Sequence, residues 1–299
     1  MLISAGVVLD RVNQVGAHSP STSTITSTTI TTPVSTVTTA PATTTTTPYA
    51  PGVEVTAPSP GAASHCPLTM ATSTAPPLRP RRCRVLEIGD SLGNDLGWGL
   101  ERQLAGYPWL DLEQEDRSSS GLSNSWFFDW PSHLSADLDR YHPNIVIVLL
   151  GGNDQQSYYV HGVYEAVGTT AWQATYRHYV RQIVDLARAA RAQVLWVGLP
   201  VMQPSFYSQG AAMLNSQFRA ALRHVPGTAF VPTWNLFATP TGAFRPSARV
   251  NGVVQTLRSS DGIHFSEAGE DVLSTYVLTQ MSALFHLPLR AAAPAVITS

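Results

Sequence analysis

The stretch Val85-Leu86-Glu87-Ile88-Gly89-Asp90-Ser91-Leu92-Gly93 reads as a short apolar strand running into a tight turn, with a serine just beyond. Such a turn lifts the serine hydroxyl clear of a sheet. The N–H groups at the start of a following helix then favour negative charge beside it. The same serine also reads as a plain cap on a helix beginning near Asn94. Nothing inside the stretch separates these readings, so the flanking chain has to.

Downstream, strands and helices alternate. The strand 84–88 leads to a helix over 94–104, and a second strand over 110–114 precedes Arg117-Ser118-Ser119-Ser120-Gly121-Leu122. An aromatic segment (Trp126, Phe127, Phe128, Trp130) comes before a helix over 132–141. Ile145-Val146-Ile147-Val148-Leu149-Leu150 has no polar alternation, which predicts a strand covered on both faces, and it ends in Gly151-Gly152-Asn153-Asp154. Trp172, Tyr176, Val180, Ile183, Val184 and Ala187 recur at helical spacing. A buried strand over 194–199, a helix over 211–222, a short strand over 228–231 and a last helix over 266–285 complete the pattern. This alternation predicts a three-layer α/β/α domain around a mostly parallel sheet. Sites in such sheets lie beyond the C-terminal strand ends, where Ser91 and Asn153 fall and where Gly121 follows within a short loop.

In that order the chain resembles the SGNH hydrolase superfamily, also called GDSL esterases and acyltransferases. Gly89-Asp90-Ser91-Leu92 matches the first block, Gly152-Asn153-Asp154 the third, and Asp261-Gly262-Ile263-His264 the last, Asp-x-x-His. Gly121 stands where the second block supplies a backbone N–H. The resemblance spans residues 84–288 and implies an SGNH/flavodoxin-like fold. It also implies roles: Ser91 as nucleophile, His264 as base, Asp261 as the acid orienting it. Ser91 N–H, Gly121 N–H and the Asn153 amide would form the oxyanion hole. Each residue has a duller reading, since Asp-Gly and Gly-Asn-Asp are ordinary turn sequences. Their joint order on one fold argues against coincidence. Gly89-Asp90-Ser91-Leu92-Gly93 also fits the Gly-x-Ser-x-Gly elbow of α/β-hydrolases. There, however, the nucleophile follows several strands, and acid and histidine usually lie on separate loops.

Composition bounds the rest. The net charge of −2 gives no reason to expect nucleic acid or an anionic membrane surface as partner. All 18 basic residues are arginine, which excludes a Walker-type phosphate loop and Schiff-base chemistry. No metal or cofactor is expected, and His133, His142, His178 and His224 have no ligand-like spacing. Residues 1–80 are Thr/Ser/Pro-rich and cannot form a core, so they read as a disordered stalk or linker. Met1 to Leu9 is too short to span a bilayer and lacks a signal-peptide pattern, but fits the remnant of an export or anchor segment. Residues 81–290 read as the hydrolase domain and 291–299 as a tail. Cys66 and Cys83 would pair in an exported protein and be two thiols in a cytosolic one; the stalk favours pairing.

The functional expectation is therefore an extracellular or surface-tethered serine esterase acting on short-chain, acetyl-type O-acyl esters of carbohydrate or lipid. An O-acyltransferase to a surface glycan is the alternative, and a non-catalytic glycan-binding module the second. Tyr158, Tyr159, His161 and Tyr164 are candidates for lining a cleft. Trp98 and the aromatics of 126–130 are candidates for an acyl pocket, against core packing or loop anchoring.

Overall fold

The structure is a computed structural model, and it describes Cys66, residues 82–289 and the backbone of Ile297–Thr298. Apart from Cys66, the stalk, the export remnant and most of the tail fall outside those residues.

Five parallel strands form the central sheet: β1 (Cys83–Gly89), β2 (Leu110–Asp116), β3 (Ile145–Leu149), β6 (Gln193–Val197) and β7 (Thr228–Val231). Their order is β2-β1-β3-β6-β7, so successive connections run to opposite sides of β1. The crevice beyond the C-terminal ends of β1 and β3 is thus the switch point of the sheet. β3, β6 and β7 are buried at every residue, as their unbroken apolar runs require when helices cover both faces. β2 is an edge strand and alternates with acids (LDLEQED) on its half-exposed side.

One helical layer holds α1 (Ser91–Leu104) and α5 (Glu267–Phe285), packed together; α3 (Thr170–Ala189) packs on both α2 (Trp130–Tyr141) and α4 (Ser205–Leu222). The apolar stripe Trp172, Tyr176, Val180, Ile183, Val184 and Ala187 of α3 is buried as its spacing predicts. Trp172 and Tyr176 stack at 5.0 Å between ring centroids.

Several boundaries differ from the sequence reading. The first helix begins at Ser91 rather than Asn94, because Asp90 caps it: the Asp90 side chain accepts the N–H of Leu92. The fourth helix begins at Ser205 instead of near Ala211. Two hairpins were not foreseen, β4 (Tyr158–Val160) with β5 (Val163–Glu165) and β8 (Ser247–Val250) with β9 (Val253–Thr256); β10 (Ile297–Thr298) adds to β8. Cys66 and Cys83 are joined by a disulfide with Cα atoms 4.8 Å apart, within the usual range. No helix among the described residues is long and apolar enough to cross a membrane.

Candidate active site

Ser91 is the first residue of α1, directly after β1, and sits half-buried above the crevice. It is therefore not the cap of that helix. Asp90 is: its Oδ1 accepts Leu92 N–H at 2.9 Å, while Oδ2 accepts Gly151 N–H at 3.0 Å and Gly152 N–H at 2.7 Å. One buried carboxylate thus ties the serine turn to the loop after β3. Burial pushes Asp90 up to about 6, and the three N–H donors oppose that rise.

The loop Arg258–Phe265, which precedes α5, brings the histidine in. His264 Nε2 lies 2.9 Å from Ser91 Oγ, and His264 Nδ1 lies 2.6 Å from Asp261 Oδ2. Asp261 Oδ1 also accepts the N–H groups of Ile263 (2.8 Å) and His264 (3.0 Å), which closes the Asp-Gly-Ile-His turn. Burial pushes the Asp261 carboxyl up. The bond from the His264 ring and those two N–H groups outweigh that and hold it below its usual range. An ionised carboxylate only accepts, so Nδ1 must carry the proton. The Nε2 lone pair then faces Ser91, whose hydroxyl donates to it.

Asn153 and Gly121 meet on the opposite side. Asn153 Nδ2 donates to the Ser120 carbonyl at 2.9 Å, which leaves the second amide proton of that nitrogen available. Asp154 is buried behind them and accepts from Leu122 N (3.0 Å), Ser123 N (2.9 Å), Ser123 Oγ (2.8 Å) and Tyr176 OH (2.7 Å). A Cβ on residue 121 would lie 2.0 Å from Asp154 Oδ1, so only glycine permits this approach. The structure thus joins Ser91, His264 and Asp261 in one hydrogen-bonded chain, and Gly121 and Asn153 through the Ser120 carbonyl.

The aromatics divide. Trp130 is buried and donates from Nε1 to Ser120 Oγ at 3.0 Å, bracing the Gly121 turn from below. Phe128 stacks on His133. Tyr158 packs on Trp172 and donates to its carbonyl, which anchors the β4–β5 hairpin. Trp98, Trp126, Tyr159 and Tyr164 are exposed, the last two as a ring pair 5.3 Å apart. Among the described residues, no three His, Cys, Asp or Glu gather as a metal site.

The sequence reading did not single out Asp90, Asp154, Asp95 or Arg258. Asp90 carried a signal, as an N-cap type residue before a helix. The others act across the fold. Asp95 Oδ2, one turn after Ser91, accepts the N–H of Phe265 at 2.9 Å and so links α1 to the loop that carries His264.

This sheet order, with a serine after β1 and Asp-x-x-His before the last helix, defines an SGNH hydrolase-type fold. Among 74 matching solved chains are a candidate acylhydrolase from Bacteroides fragilis and LAE5. The first is 15% identical with a TM-score of 0.50, covering 74% of this chain and 99% of the other. LAE5, an alpha/beta hydrolase enzyme from the metagenome of Lake Arreo, is 15% identical with a TM-score of 0.50, covering 68% and 96%. At these identities the likeness is one of fold. The chain belongs to the family described as "Protein of unknown function (DUF459)", which matches residues 84–280. No curated protein matches the sequence.

Proposed function

We propose that this protein is a serine esterase that removes short acyl groups from carbohydrate or lipid esters. The observation that carries this reading is the hydrogen-bonded chain from Ser91 Oγ through His264 to Asp261, at 2.9 and 2.6 Å. A serine hydroxyl is a poor nucleophile near neutral pH unless a base lies within hydrogen-bond reach. Here Ser91 Oγ attacks the ester carbonyl while His264 Nε2 takes its proton. Asp261 holds the ring in the Nδ1–H tautomer and stabilises the imidazolium that forms. The carbonyl oxygen, now carrying negative charge, turns toward the N–H groups of Ser91 and Gly121 and the second amide proton of Asn153. Collapse breaks the C–O bond, and His264 returns the proton to the leaving alcohol. Water then attacks the acyl-Ser91 ester with His264 again as base, releasing the acid and free Ser91.

Hydrolysis rather than transfer is favoured by the openness of the site. The His264 and Asp261 side chains are 36% and 44% exposed, so water reaches the acyl carbonyl without a dedicated acceptor site. A carbohydrate substrate is favoured by the exposed rings of Trp126, Tyr159 and Tyr164. They stand on the segments following β2 and β3, the same segments that carry Gly121 and Asn153, and aromatic faces stack on sugar rings. The stalk composition and the Cys66–Cys83 disulfide favour an extracellular or surface-tethered location.

The test offers p-nitrophenyl esters of graded chain length to the protein and its Ser91→Ala variant, with and without acylated and acceptor oligosaccharides. The expected outcome is turnover highest for acetyl, absent in the variant, with the acyl group recovered as free acid. Most of the acyl group appearing on the sugar would make the protein an acyltransferase. No turnover of any ester, with glycan binding retained, would leave a binding module.

A further inference from the structure

Arg258 is the least expected residue near the site. Its side chain is buried, and no carboxylate pairs with it directly among the described residues. Instead its guanidinium lies over three rings, with the carbon centre 4.5 Å from the Phe265 centroid, 5.5 Å from Phe237 and 5.6 Å from Phe244. Its donors go to backbone carbonyls: Nη1 to Val201 at 2.9 Å, Nε to His264 at 3.3 Å, and Nη2 to Ile263. Two of these carbonyls belong to the Asp-Gly-Ile-His turn, and the third to the loop after β6. Burial lowers the guanidinium to about 10, with the negative charges of Asp261 and Asp95 resisting, so it stays charged at neutral pH.

A buried charge is costly unless it does something an apolar side chain cannot. A planar fork with donors at fixed angles meets three carbonyls at once, whereas an ammonium is a point charge. The backbone of the turn has other ties besides the Asp261 Oδ1 bonds to Ile263 and His264, and none of them reaches the Ile263 carbonyl. Ser259 N–H donates to the His264 carbonyl at 2.9 Å, and Asp95 takes the N–H of Phe265. Remove the fork and the Ile263 carbonyl loses its donor, and the turn loses one of its links to the loop after β6, the Gln203 N–H bond to the Gly262 carbonyl remaining.

We infer that Arg258 is a positioning residue: cation–π contacts hold its guanidinium in place, and its hydrogen bonds to the Ile263 and His264 carbonyls set the imidazole against Ser91. This rests on the proposed role of His264 as base. It acts through the backbone and touches no substrate. A displacement of the base by about 1 Å can cost on the order of a hundredfold in rate. The arginine is therefore tied to the chemical step and not to substrate affinity.

The test uses the full chain with Arg258→Met, whose stem fills the aromatic cage, and Arg258→Lys. Two readouts are taken: kcat and KM on a soluble ester, and the downfield proton resonance of His264 Nδ1–H in its bond to Asp261. For Arg258→Met the expected outcome is a kcat lowered about ten- to a hundredfold with KM within about twofold. Its Nδ1–H resonance should be lost or broadened, and Arg258→Lys should lie between the two. The inference is overturned if folded Arg258→Met keeps kcat within twofold and the resonance unchanged. Should Arg258→Met not fold, Arg258→Lys with wild-type kcat and resonance overturns it equally. The resonance is read without substrate. A wild-type protein with no ester turnover, but a resonance that disappears in Arg258→Met, would refute the proposed function and support the positioning role.

Discussion

Asn153 commits one amide proton to the Ser120 carbonyl, so the second is already aimed by a bond on the same nitrogen. Replacing Asn153 by alanine removes a donor that matters only once charge has built up on the carbonyl oxygen. The expected outcome for Asn153→Ala is a kcat lowered about 10²- to 10³-fold, about 3 kcal/mol, with KM little changed. Steady-state kinetics on a soluble ester decide it; a KM rise with kcat intact would mean that Asn153 holds the ground state. Gly121 should be less forgiving, because an added Cβ would drive into Asp154 and push apart the loops that Asp154 stitches together. At this scale the sequence pointed to the residues to which the proposed mechanism gives the chemistry, and missed those that hold them. Ser91, Asn153, Asp261 and His264 stand in short motifs with fixed spacing. Arg258 and Asp95 meet the histidine loop only after folding, and an isolated Arg or Asp carries no local pattern that says so.

Helix α1 lies close over β1 and β2, and two buried carboxyls lie beneath it. Glu87 of β1 faces Asp116 at the end of β2, and none of their four carboxyl oxygens has a hydrogen-bond partner among the described residues. A Cβ on residue 93 would lie 2.7 Å from Asp116 Oδ1, so the helix can settle there only as glycine. Burial, and then the charge of Asp116, raises Glu87 well above its usual range; burial raises Asp116 to about 7. Burial and like charge both disfavour ionising the pair. Raised values in the folded state mean that the stabilisation is full below the unfolded values near 4 and is lost as pH rises through about 7. Thermal stability of the wild type should therefore decline as pH rises from about 4 through about 7, and Glu87→Gln should flatten that decline. Asp90 and Asp95, held up to about 6 by burial, titrate in the same direction in both proteins and cancel in the difference. Parallel curves for the two proteins would contradict this reading. Elements with strong periodicity were legible, as with the buried stripe of α3 and the runs of β3 and β6. The hairpins 158–165 and 247–256 were not, because their strands are three or four residues long and only Ala248 and Val250 of β8 turn a buried face inward, too short a run to write an alternation.

Over the whole molecule, the site is assembled from four separate places in the chain, Gly121 being the one in the loop after β2. Ser91 follows β1, Asn153 follows β3, and the Asp261–His264 turn precedes α5, which packs against α1. Salt bridges from Arg102 of α1 to Glu270 and Asp271 of α5 reinforce that packing at 2.7 and 2.8 Å. The sheet order puts β1 beside β3, and with them the turn at Ser91 beside the loop at Asn153, which is why a sequence-level fold assignment could bring these residues together. In the proposed mechanism this assembly makes Ser91, among all serines of the chain, an activated nucleophile. The direct measurement is reaction of the full chain with a fluorophosphonate, which forms a bond from Ser91 Oγ to phosphorus and releases fluoride, followed by intact-mass and peptide mass spectrometry. The expected result is one added phosphonyl group, on the peptide containing Ser91, and none on Ser91→Ala or, at the same exposure, on His264→Ala. A folded wild-type protein that stays unlabelled, or a Ser91→Ala variant that labels as readily, would contradict it.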